Sequence, residues 1–155
     1  MNNLDDLIPP GGVLYNVAAS NKLSLLKLLS AHAAALTGHD PGMVMELIAK
    51  RERLGTTGFG GGTAIPHARL TPLAGVVAVV AKLATPIDFE ALDGEPVDIV
   101  VLMLAPAGAG ADHLKALARV SRVLRDRDVV GKLRSSRSAE ALLAILTADQ
   151  QSRAA

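Results

Sequence analysis

Arg51, His67 and His113 have residue types and settings that could do chemistry together. His67 closes the run GTTGFGGGTAIPH (55–67), whose first eight residues hold five glycines and two adjacent threonines. Glycine is entropically costly to order, so such density needs a reason. No GxxxxGK[ST] occurs in the chain, and a GxGxxG begun at Gly58 would need its last glycine where Thr63 stands, so neither nucleotide-loop pattern fits. Apolar helical sequence before the run and strand-like sequence after it argue against a flexible linker. What remains is an ordered backbone cradle leading to His67, with N–H groups able to approach an anion as in a nest. Pro66 stiffens the backbone beside the imidazole.

Arg51 falls on one helix face with Val44, Leu47, Ile48 and Leu54, an odd place for a guanidinium without an anionic partner. On residue logic alone it is equally a snorkelling arginine or a structural ion pair with Glu52 or Asp112. His67 taken alone also reads as a structural histidine after a turn. Asp112 is expected to cap a helix, which puts His113 in the first turn. There the dipole disfavours imidazolium and favours an incoming anion. A neutral His113 can donate to a phosphoryl oxygen or to a second imidazole; taken alone, it reads as an ordinary exposed histidine. His32 and His39 have nothing converging on them. No HxxxH, HExxH or GxSxG occurs and there is no cysteine, so neither a metal centre nor a serine nucleophile is expected.

The elements that must position these groups follow from caps and periodicity. Ser20 is expected to cap a helix through KLSLLKLLSAHAAALT ending at Gly38, and Asp40-Pro41 to open a second ending at Gly55. Thr63–Ile65 suits a short strand before proline. Two β-branched runs, at 75–83 and 96–104, read as strands joined by PIDFEALDGE with a turn at Asp93-Gly94. The second run is nearly continuous in apolar residues, like a central strand covered on both faces. A helix through HLKALARVSRVLRD (113–126) with Leu114, Leu117, Ala118, Ser121 and Leu124 on one side is expected next, then a last helix capped by Ser138. The expectation is one α/β domain at 1–148 with helices over a mostly buried sheet, and a polar tail at 149–155.

The 155 residues suit one domain with a full core. Two phenylalanines, one tyrosine and a net charge of +1 argue against base-stacking modules and against a global field for nucleic acid or anionic membranes. The absence of cysteine suits a reducing compartment. The N-terminus lacks secretory-signal character, and no apolar run is long enough to span a bilayer. A cytoplasmic protein without membrane insertion is expected.

The segment RERLGTTGFGGGTAIPHARL (51–70) resembles the active-site segment of the type-2 EIIA proteins of the bacterial phosphotransferase system. An Arg-Glu pair, a Gly-Ser/Thr-Thr-Gly turn, a Gly-x-Gly and an Ile-Pro-His recur there in this order and spacing. The likeness continues through TPIDFEALDGEPVDIVVLMLAP and GADHLKALARVSRVLRD and is strongest to the nitrogen-regulatory branch. Gly61 stands where asparagine is common, and Ala68 where glycine often follows the histidine. The resemblance implies a mixed sheet with helices on both faces and a histidine phosphocarrier needing no cofactor. It makes His67 the phosphoryl acceptor, Arg51 the phosphoryl-contacting arginine and His113 the second active-site histidine. Thr56 and the backbone of Gly60, Gly61 and Gly62 match the surrounding loop. The implied donor is a phosphorylated HPr-like protein of the nitrogen type. The implied recipients are regulatory targets such as potassium transporters or sensor kinases, or, for a sugar-specific EIIA, an EIIB domain. Transfer between proteins calls for an apolar rim, for which Phe59, Ile65 and Leu70 are the sequence candidates.

Overall fold

The computed structural model describes residues 3–148; the tail expected at 149–155 lies outside the described residues. Eleven elements follow in order among the described residues: β1 (Val13–Val17), α1 (Lys22–Thr37), α2 (Pro41–Leu54), β2 (Gly58–Gly60), β3 (Thr63–Ala64), β4 (His67–Arg69), β5 (Val77–Ile87), β6 (Val97–Ala105), α3 (Ala111–Arg125), α4 (Arg127–Ser135) and α5 (Ala139–Thr147). They form the expected mixed sheet with helices on both faces.

The sheet is organised around β6. Antiparallel β5 pairs along one side of it, with β1 parallel to β5 beyond. Along the other side lie β3 and then β4, both parallel to β6, and β2 closes the edge by pairing with β3. Successive side chains of β6 serve two cores. Val100, Leu102 and Leu104 pack in the core shared with α1 and α2, while Ile99, Val101 and Met103 join α3, α4 and α5. Because both faces are covered, the strand reads as an apolar run rather than as alternation.

Gly38 ends α1 in the left-handed conformation (φ 74°), and Asp40 caps α2 by accepting from the Met43 N–H at 2.9 Å. Ser138 caps α5 through the Ala141 N–H at 3.0 Å. Two expected caps move. Asn21, not Ser20, opens α1, in a reciprocal box with Ser24. Gly110, not Asp112, precedes α3, and the Asp112 side chain makes no cap bond. Asp126 both ends α3 and caps α4, a helix in a stretch to which sequence periodicity assigns no element. The buried face of α3 is His113, Ala116, Val120, Val123 and Leu124. The expected stripe through Leu114 and Ala118 is rotated outward, with both of these residues exposed.

Candidate functional site

β3 and β4 run along the same side of β6, and Ile65-Pro66 is the step between them. Thr63 and Ala64 sit opposite Ile99 and Val100; His67, Ala68 and Arg69 sit opposite Met103, Leu104 and Ala105. The step is locked where the Met103 N–H donates to the Pro66 carbonyl at 2.9 Å. Strand alternation then sends Ala68 into the α1/α2 core and His67 to the opposite side, toward α3. There His113, in the first turn of α3, meets it edge to face with ring centroids 5.7 Å apart and planes at 77°. The last turns of α2, which packs on β4, bring Arg51 to the same place.

These three side chains line one open cavity of about 530 Å³ with Lys50, Arg69 and the leucines 47, 54, 114 and 117. Its lining carries three cations and no carboxylate. Neither acid proposed as a partner pairs with Arg51, whose guanidinium donates to the Gly55 carbonyl at 2.9 Å. Glu52 points elsewhere, to Lys22 at 2.9 Å and to Thr57. The two other histidines are each tied to a backbone carbonyl at 2.7 Å, His32 to Gly11 and His39 to Pro72.

His67 Nδ1 lies 2.8 Å from the Ile65 carbonyl oxygen. A carbonyl only accepts, so this nitrogen carries the proton and donates, which leaves Nε2 with the lone pair. Burial is the main cause holding His67 below the ordinary imidazole value; Arg51 lowers it further, while the Ile65 bond and Glu52 oppose the shift. His113 is lowered too, first by burial and then by His67 and Arg69. Its Nδ1 is buried without a hydrogen-bond partner, a costly arrangement of the kind that calls for a functional reason.

Both histidines therefore stay neutral to lower pH than free imidazole. As pH falls through 6.5, the reference imidazole value, an unfolded chain binds protons that the folded chain refuses, so stability declines. Denaturant titrations should show a loss between pH 7 and pH 5 that shrinks in His67→Gln. An undiminished loss in that variant would assign it to other groups.

The glycine turn stands apart from this cavity. Gly61 N–H donates to Asp93 at 3.0 Å, and the Gly61 carbonyl accepts from Arg134 at 2.6 Å. The Gly60 carbonyl accepts from Thr63, and the Gly62 carbonyl from the Asp98 and Ile99 N–H groups. Thr56 donates its hydroxyl to the Phe89 carbonyl and accepts from Gly58 N–H. Phe59, Gly60 and Gly61 line a different cavity, of about 710 Å³, with Arg125 and Arg134. The reason is register: from Thr63 to His67 the chain advances four residues along β6, roughly 13 Å of strand.

Gly62 has φ +79°, and a Cβ there would run into the Arg134 guanidinium. Gly62→Ala should cost about 1–3 kcal/mol in denaturant unfolding while leaving His67 chemistry intact; slowed chemistry at full stability would return the turn to the site.

Two rim candidates are corrected by burial. Ile65 and Leu70 are only 4% and 3% exposed, whereas Leu54 and Leu114 are 83% and 66% exposed at the cavity mouth. Leu54 was visible in sequence as the end of the Arg51 stripe. Leu114 was visible only as a core residue, which it is not. Lys50 and Arg69 carried no signal beyond their charge. Among the described residues no three histidines or carboxylates gather as metal ligands, and no helix is long and apolar enough to cross a membrane.

The family model described as phosphoenolpyruvate-dependent sugar phosphotransferase system, EIIA 2, matches residues 6–149. A nitrogen regulatory protein of Bradyrhizobium diazoefficiens is 50% identical over 143 residues, covering 92% of this chain and 94% of that protein. The crystal structure of nitrogen regulatory protein IIA-Ntr from Neisseria meningitidis superimposes with a TM-score of 0.87 at 27% identity, covering 93% of this chain and 99% of that one. Enzyme IIA-mannitol of Escherichia coli, solved in complex with phosphorylated IIB-mannitol, shares the fold with a TM-score of 0.74 at 16% identity, over 90% of this chain and 98% of that one. Matches this long make the chain a member of the type-2 EIIA family of the phosphotransferase system.

Proposed function

We propose that this protein is a cytoplasmic histidine phosphocarrier, that His67 accepts a phosphoryl group from a phosphorylated HPr-like protein of the nitrogen type, and that its phosphorylation state regulates target proteins. The observation that carries this reading is the orientation of His67: Nδ1 is held by the Ile65 carbonyl, and the ring lines a cavity edged by cations. In the transfer, Nε2 attacks phosphorus in line with the leaving imidazole of the donor. Positioning and charge stabilisation then carry the catalysis, since the reaction asks little other covalent work of the protein. Arg51 neutralises the equatorial oxygens, with Lys50 and Arg69 adding to the field. His113 donates to a phosphoryl oxygen or orients His67. The exposed leucines give a donor protein a modest apolar surface to seat on.

The assay is phosphotransfer to the purified protein from phosphorylated nitrogen-type and sugar-type HPr. Faster transfer from the nitrogen type is expected. Preference for the sugar type, followed by passage to an EIIB domain, would instead make it a sugar-specific EIIA. The rim has its own test, because Leu54→Asp and Leu114→Asp change exposed positions. Each should lower kcat/KM for the donor about tenfold or more, as at an interface anchor, with unfolding unchanged; donor kinetics that do not move would place the contact elsewhere.

A further inference from the structure

The active-site mechanism leaves one buried acid unused. Glu52, 8% exposed at the end of α2, spends its carboxylate on Thr57, accepting from both its N–H and its hydroxyl. Thr57 in turn accepts the Ile65 N–H on its carbonyl at 3.1 Å, and the Ile65 carbonyl accepts from His67 Nδ1 at 2.8 Å. Four residues thus form one hydrogen-bonded relay from α2 to the reactive ring. Lys22, at the start of α1, completes it by pairing with Glu52 at 2.9 Å while its ammonium lies 4.5 Å from the centre of the Phe89 ring. On the other side of the turn, Arg51 holds the Gly55 carbonyl, so the segment 55–57 is pinned by neighbouring residues of one helix end.

Resting on the reading of His67 as the phosphoryl acceptor, we propose that Glu52 is a positioning residue that fixes the His67 ring through Thr57 and Ile65 and supplies a negative charge behind it. The charge has a chemical use. When the N–P bond forms at Nε2, the donor's N–P bond breaks and its electron pair returns to the donor imidazole. The Nδ1 proton remains on His67 facing Ile65, so the ring gains positive character in a pocket already carrying Lys50, Arg51 and Arg69. His113, the group facing it from α3, is neutral and offers no counter-charge. Arg51 disfavours a cationic ring and Glu52 favours it. A buried carboxylate in a low-dielectric setting acts more strongly than one in water.

The test compares Glu52→Gln, which keeps the shape and loses the charge, with Thr57→Val, which keeps the charge and loses the hydroxyl link. His67 ring titration by NMR and phosphotransfer rate are read for both, with Asp98→Asn, whose carboxylate pairs Arg134, as control. Glu52→Gln should lower the His67 midpoint and slow transfer about tenfold, below the roughly 10²-fold that a full 1 Å misplacement of a reacting group can cost. Thr57→Val should slow transfer and leave the midpoint in place, and the control should move neither. An unchanged midpoint together with a rate within twofold in Glu52→Gln overturns the proposal. Should that variant not fold, Thr57→Val decides: slowed transfer with an unmoved midpoint supports it, an unslowed rate overturns it. If the unsubstituted protein accepts no phosphoryl group, the phosphocarrier reading fails, while the ring titration still judges Glu52.

Discussion

Replacing His67 by alanine should remove phosphoryl acceptance below detection while leaving a folded protein. The ring is only partly buried and its structural tie is the single bond to Ile65. Loss of that bond and of the ring's packing should lower stability by about 1–3 kcal/mol, the common range for a point substitution. The effect on transfer is of another kind, because the cavity lining holds just one further imidazole, that of His113. His113 lies in the same cavity, but its Nδ1 is buried and its ring meets His67 edge to face. Label from a phosphorylated donor, read by intact mass, should be absent from His67→Ala and present in His113→Ala. A labelled His67→Ala would move the acceptor elsewhere.

The second large effect is at Arg51. Its removal should slow transfer about 10²–10³-fold, the range seen when a preorganised charge-stabilising donor is lost. The structural cost is small, since Arg51 is half-buried and its bond goes to the Gly55 carbonyl rather than to a carboxylate. Arg51→Lys should recover only part of the rate, because an ammonium keeps the charge but loses the planar fork that matches phosphoryl oxygens. Rapid-quench kinetics at saturating donor separate this from weaker docking. An unchanged rate in Arg51→Ala would reduce the residue to a clasp on the Gly55 turn.

The sequence made the sheet centre and most helix ends readable because they depend on local signals. The β6 run, the Asp40 and Ser138 caps and the Gly38 stop each follow from a few adjacent residues. What escaped depends on long-range placement. β1 and β4 are short strands whose identity comes from pairing with β5 and β6, and nothing in three residues such as His67–Arg69 announces a strand. The α3 face was misread because Leu114 is exposed at the cavity mouth and Leu117 lines the cavity from the edge of the core, so hydrophobicity there tracks the site as well as the core.

The site itself was half legible. Arg51 stood out as a charge on an apolar stripe, and His113 as a histidine in a first turn; the structure joins both to His67. The glycine turn was expected around His67 because it precedes it closely. Register along β6 separates them: the turn's Gly61 N–H donates to Asp93, and its carbonyls accept from Arg134 and β6 instead. Glu52 was weighed only as a partner for Arg51. Its link to Thr57 crosses five residues and a chain reversal, which no periodicity reports.

The most direct measurement of the central claim is NMR of the protein with 15N-labelled histidine after incubation with a phosphorylated nitrogen-type HPr. The account predicts one new nitrogen–phosphorus coupling, at Nε2 of His67, with Nδ1 still protonated toward Ile65. A coupling at Nδ1, at His113, or none under conditions where the donor discharges to another acceptor would contradict it.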